Sequence, residues 1–166
     1  MSGSSTKLMS LERISAITAG HRESGRVVVL ANGAFDLLHV GHVRHLTAAR
    51  NLGDVLVAAV NSDLSVRRLK GAGRPIVPEE ERLEILAALS CVDLLVLFHE
   101  DTVTEVLQAV RPHIHAKGTD YSPGTVPEHD TVAAWGGRTA ICGDPKGHAT
   151  TDLVSEILRR FGHSQR

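Results

Sequence analysis

Six consecutive apolar residues, Val55-Leu56-Val57-Ala58-Ala59-Val60, lie between Asp54 and Asn61. A strand with one face in water alternates apolar and polar side chains, whereas a strand covered on both faces is an unbroken apolar run, as in parallel sheets. The rest of the chain supplies the helices such a sheet needs. Strand patterns at Val27–Leu30, Val55–Val60, Leu94–Phe98, Ile114–Ala116 and Thr139–Ile141 alternate with helical patterns. The helices are expected at Leu8–Thr18, Val40–Asn51, a stretch through Val66–Leu69, Pro78–Leu89, Val103–Val110 and Val126–Trp135. A last helix, capped by Thr150 or Thr151, should run to Phe161. Strict alternation argues for an α/β fold, a parallel sheet with helices on both faces. Segments 1–25, 26–161 and 162–166 read as an extension whose helix lies outside the core domain, that one domain, and a tail.

With 166 residues, 42% of them hydrophobic, the chain can bury one core of ordinary size. A net charge of -1 gives no basic surface for nucleic acid, so any phosphate recognition has to be local. Cys91 and Cys142 lack CxxC spacing and read as buried, reduced thiols. The polar start Met1–Thr6 has no apolar stretch, and we expect neither leader nor membrane span, hence a cytoplasmic protein.

Ligands of such sheets bind beyond the carboxyl ends of the strands, where strand order reverses, so chemistry should sit just after strands. After Val27–Leu30 comes a turn, Asn32-Gly33-Ala34-Phe35-Asp36, and then His39-Val40-Gly41-His42 at the start of a helix. Free N–H groups and the helix dipole favour an anion there, and histidines spaced i, i+3 project toward the same place. Two imidazoles beside such a cradle suit phosphate better than a metal. After Val55–Val60, Lys70-Gly71-Ala72-Gly73-Arg74-Pro75 forms a cationic, glycine-rich loop able to close over phosphates. It is no dinucleotide fingerprint, because it follows a helix and runs into Pro75, and 143–147 lacks the spacing of a P-loop. After Ile114–Ala116, Lys117-Gly118-Thr119-Asp120-Tyr121 offers a cation, a close backbone approach and an acceptor. His113 and His115 have a spacing known from zinc sites but no third ligand nearby, so packing or strand-edge solvation is expected. Thr150 and Thr151 open the last helix, a further anion site.

The run 32–42 resembles the Gly-x-Phe-Asp-x-x-His-x-Gly-His signature of the cytidylyltransferase-like nucleotidyltransferases. The resemblance implies a doubly wound, Rossmann-like sheet with an extra N-terminal helix here, and transfer of a nucleotidyl group to a phosphorylated acceptor. Gly73-Arg74-Pro75-Ile76, Lys117–Tyr121 and Val66–Gly71 resemble most the adenylyltransferases of ADP-heptose synthesis. That implies AMP transfer from ATP to a heptose 1-phosphate with Mg²⁺, a separate sugar kinase supplying the acceptor, and we expect a homodimer. A cytidylyltransferase acting on glycerol 3-phosphate or a related polyol or amino-alcohol phosphate is the alternative. His39, His42 and Lys70 are then the catalytic candidates. Asn32, Gly33, Ala34, Phe35, Lys117, Gly118, Thr150 and Thr151 would border the nucleotide, and Asp36, Arg74 and Asp120 the acceptor. Asp36 and Asp120 would orient substrate directly or through Mg²⁺, with no side chain assigned as a standing metal ligand. The family's second signature, of the Ile-Ser-x-Thr type, is altered: His148-Ala149 stands in place of Ile-Ser and Val154 where many members carry a basic residue. Lys146, Lys70 or Arg74 would then supply the missing charge.

Overall fold

The structure, a computed structural model, describes residues 6–145 and 149–162. Five strands, β1 (Val28–Gly33), β2 (Val55–Asn61), β3 (Leu94–Phe98), β4 (Ile114–Lys117) and β5 (Arg138–Ile141), form one sheet in the order β3-β2-β1-β4-β5. Every pairing is parallel. All seven residues of β2 are buried, as its continuous apolar run requires. The chain runs from β1 outward to β3 and then returns to the other side of β1. Strand order therefore reverses between β1 and β4, and their carboxyl ends diverge into a crevice.

The two faces of the sheet have separate cores. Val28, Leu30, Val57 and Val96 face one side with Ile14 of α1 (Leu11–Glu23), Val106 of α5 (Thr104–Val110) and Val132 of α6 (His129–Ala133). Val29, Ala31, Leu56 and Ala58 face the other with Leu46 of α2 (Val40–Arg50) and Leu86 of α4 (Glu79–Ala88). Between β2 and α4 lies α3 (Asp63–Lys70), and α7 (Thr150–Phe161) ends the chain. Among the described residues no helix is long and apolar enough to cross a membrane.

Several boundaries differ from the sequence reading. The first helix starts at Leu11, because Ser10 accepts the Arg13 N–H as its N-cap. Residues 7–9 instead lie along β3: Lys7 O accepts from Leu95 N–H at 2.8 Å, and Met9 N–H donates to Leu95 O at 3.1 Å. The helix nevertheless packs on the sheet, with Ile14 fully buried. Only His129–Ala133 of the expected helix 126–135 is α-helical, preceded by a 3-10 turn over Pro123–Thr125. The cap of α7 is Ala149, not either threonine, and Asp152 Oδ2 accepts the Ala149 N–H at 3.1 Å. Cys91 and Cys142 are only partly buried.

Candidate active site

Beyond the ends of β1 and β4 lies a cleft of about 880 Å³, a volume ordinary for a cofactor or drug-sized ligand. Of the sequence-derived candidates, Asn32, Gly33, Ala34, Phe35, Asp36, His39, His42, Lys70, Lys117, Gly118, Asp120, Thr150 and Thr151 all line it. Arg74 does not. It sits behind the turn, bonded to Asp36, while Lys146 and His148 lie outside the described residues.

The two histidines hold each other and the helix start. His39 is the N-cap of α2, and its Nδ1 accepts the Gly41 N–H at 3.1 Å. His42 Nδ1 reaches back to accept the His39 N–H at 3.3 Å. This is a capping box made of imidazoles, with ring centroids 3.9 Å apart and Phe35 edge-on to His42 at 5.6 Å. A ring nitrogen that accepts carries no proton, so in each neutral ring the proton is on Nε2. The helix cap thus fixes the tautomer of both rings, which line one edge of the cleft and carry their proton on Nε2. Burial, with His39, His45 and Lys70 nearby, lowers the His42 pKa to about 4. At neutral pH that ring is an uncharged donor.

The turn before the histidines is strained and firmly held. Phe35 and Leu37 adopt φ of 51° and 47°, a left-handed conformation costing side-chain-bearing residues roughly 1–2 kcal/mol each. Asp36, 2% exposed, accepts N–H bonds from Ile76 and Val77, both at 2.9 Å, and from the Arg74 guanidinium at 3.2 Å. Burial pushes its carboxyl pKa up, but these bonds outweigh that and hold it below the ordinary value. Thr150 Oγ1 donates to Asp36 O at 2.8 Å, bringing the N-terminus of α7 onto the same turn.

Arg82, 1% exposed, joins these loops from beneath. Its guanidinium donates to the carbonyls of Ala34, Asn61 (2.9 Å) and Val77 (3.0 Å), and to the Asp63 carboxylate at 2.8 Å. Sequence reasoning missed it. The only signal was an arginine within an otherwise acidic and apolar helix start, and its partners lie 5 to 48 residues away.

On the β4 side Lys117, 8% exposed, stands 4.0 Å from the equally buried Glu128 and 4.6 Å from the Tyr121 ring centroid. Burial lowers the Lys117 pKa and Glu128 opposes it. Nothing within 4 Å would meet a Cβ at Gly118, so the backbone there is open to a ligand. Since β4 lies between β1 and β5, the expected strand-edge solvation fails for His115, which is fully buried and bonded to Asn32. His113 Nδ1 accepts the Val28 N–H at 3.0 Å. A second histidine within α2, His45, also lines the cleft and bonds through Nδ1 to Cys142 O at 3.0 Å. No cluster of three or more metal-ligating side chains occurs among the described residues.

Residues 30–159 match the cytidylyltransferase-like family. The chain is 46% identical over 98% of its length to the bifunctional protein HldE of Trichlorobacter lovleyi, and 47% identical over 94% to that of Syntrophotalea carbinolica. It spans about one third of the length of these relatives, 33% and 32%. A lipopolysaccharide core biosynthesis protein from Thermoplasma volcanium superposes with a TM-score of 0.59 at 32% identity, covering 70% of this chain and 94% of that one. Pantoate-beta-alanine ligase from Francisella tularensis shares the fold alone, with a TM-score of 0.54 at 14% identity over 96% of this chain and 81% of that one.

Proposed function

Since the chain belongs to the cytidylyltransferase-like family and is a nucleotidyltransferase, we propose that it transfers AMP from ATP to D-glycero-β-D-manno-heptose 1-phosphate, yielding ADP-heptose and pyrophosphate. The observation that carries the chemistry is the imidazole capping box, which presents two Nε2–H donors at the mouth of the switch-point cleft. Support for the acceptor comes from the segments 73–76 and 117–121, which resemble the heptose-phosphate adenylyltransferases beyond the shared signature.

An oxygen of the acceptor phosphate attacks the α-phosphorus, and the bond to the β-phosphate oxygen breaks in line, so negative charge grows on the nonbridging oxygens and on departing pyrophosphate. Preorganised donors stabilise that charge without moving, and His39 and His42 are held for this by bonds their own helix requires. Lys70, at the exposed end of α3, is close enough to depress the His42 pKa and adds a cation for the phosphates. The N-terminus of α7, docked through Thr150, adds N–H donors. Asp36 has its carboxylate occupied by the 74–77 loop, so its part in acceptor binding is to fix the shape of the rim, and Arg74 acts with it. Mg²⁺ would arrive on the triphosphate, with Asp120 on the cleft lining as its candidate protein ligand. Mg²⁺ would neutralise triphosphate charge there.

Pyrophosphate release across ATP, CTP, GTP and UTP, each with heptose 1-phosphate, glucose 1-phosphate and glycerol 3-phosphate, tests the assignment. ATP with heptose 1-phosphate should give the highest kcat/KM. A higher value for CTP with glycerol 3-phosphate overturns the substrate and leaves the roles of the histidines standing.

A further inference from the structure

His115 takes no part in the chemistry above, yet it is fully buried and points at the cleft wall. Its Nε2 lies 2.8 Å from Oδ1 of Asn32, the residue next to last in β1, whose half-buried side chain lines the cleft. Its Nδ1 is buried without a hydrogen-bond partner among the described residues.

These facts fix a proton. A carboxamide oxygen only accepts, so Nε2 must donate. Burial, with Lys117 on the same strand face, holds the His115 pKa near 3, so the ring is neutral and carries one proton. That proton being on Nε2, the orphaned Nδ1 is a bare acceptor, which costs less to bury than an unpaired N–H. With Oδ1 turned inward, the other half of the carboxamide, the Nδ2 amine, has to face the other way. We infer that His115 is a positioning residue: its Nε2–H locks Asn32 in the orientation that presents Nδ2 as a hydrogen-bond donor to an oxygen of the bound nucleotide. Without His115, the carboxamide can turn over and offer an acceptor to an anionic ligand. The inference rests on the reading of the cleft as a nucleotide site, and deepens it by naming which group of Asn32 meets the ligand.

The test has a spectroscopic and a binding arm, both using the full chain. Long-range ¹⁵N–¹H correlation spectra of the native protein should show His115 as the Nε2–H tautomer, unchanged between pH 5 and 8, and an Asn32 Nδ2 resonance that shifts on adding ATP with Mg²⁺. An Nδ1–H tautomer overturns the inference. In calorimetric titrations with ATP and Mg²⁺, Asn32→Ala and His115→Leu should each weaken binding about tenfold, the scale of losing a hydrogen bond to a charged group. The double variant should be no worse than either single one, and His115→Gln, whose amide nitrogen can reach the same oxygen, should restore most of the affinity. Independent, multiplicative losses, or no rescue by a folded His115→Gln protein, overturn it. Because neither arm uses an acceptor sugar, a wrong acceptor assignment leaves these results unaffected.

Discussion

Replacing Arg82 with methionine is the sharpest probe of how the cleft is held. The side-chain volume is roughly kept, so little cavity cost is expected. What is lost is a guanidinium serving three carbonyls, those of Ala34, Asn61 and Val77, and the Asp63 carboxylate. Asp63, 29% exposed, can turn to water, but Asn61 is nearly buried and its carbonyl loses its donor with no solvent to replace it. An unsatisfied buried polar group costs about 1–3 kcal/mol, and removing one partner of a buried ionic network about 3–5 kcal/mol, so the expected loss is about 4 kcal/mol. For a chain of this size that corresponds to a drop in Tm of about 10 °C. Arg82→Lys should lose nearly as much, because a single ammonium cannot span three loops as a planar fork does. Urea titrations followed by circular dichroism would measure both variants, and pyrophosphate release the accompanying fall in kcat. A loss under about 1 kcal/mol in Arg82→Met, or a lysine variant equal to the native protein, would refute the view that this guanidinium ties the loops together.

Three further expectations follow from the same geometry. His39→Ala and His42→Ala should each reduce kcat by about 10²–10³, the effect of removing one preorganised donor, and also lower Tm, since each deletes half of a capping box at about 1 kcal/mol; a kinetic effect below tenfold in both would exclude the catalytic assignment. Stability should fall in mild acid, because His42 titrates near 4 in the folded protein against 6.5 when unfolded, so the unfolded chain binds the extra proton between those values. The contribution is complete above about pH 7 and is lost as the pH drops through that window, about 2 kcal/mol by pH 5 from His42 alone; His115 acts in the same direction, and a urea midpoint unchanged between pH 7.5 and 5 would contradict both. Thr150→Val should raise the KM for ATP several-fold by releasing the start of α7 from Asp36 O, with little change in Tm because α7 buries none of its residues; an unaltered KM would remove α7 from the nucleotide site.

The sheet was legible because β2 and β3 are unbroken apolar runs and β1 begins as one, and β3 falls at Leu94–Phe98 as expected. Helix ends were less so. Ser10, a good cap, lay inside the periodic stretch assigned to the first helix, and Thr150 reads as a cap although its hydroxyl instead bonds 114 residues away. The signature 32–42 located the cleft, since its chemistry is carried by neighbours in sequence. Arg82, Glu128 and the bond from His115 to Asn32 were beyond reach, because a buried polar residue is explained only by its partners, and these belong to other elements of the fold. His-x-His spacing puts both rings on the same side of the chain; what separates them is that His113 lies before β4 begins at Ile114, whereas His115 sits inside the strand, covered between β1 and β5.

Lys7–Met9 lie along β3, the outermost strand on that side of the sheet. An uncovered edge of this kind, here Leu94-Leu95-Val96-Leu97-Phe98, is a template for pairing with another molecule's backbone. Trimming the protein back to the start of β1 would keep the nucleotide signature whole while stripping that cover and baring the surface that Ile14 fills. Such a fragment should precipitate or self-associate rather than serve as a minimal enzyme, so a fusion or excised catalytic unit has to begin before Lys7.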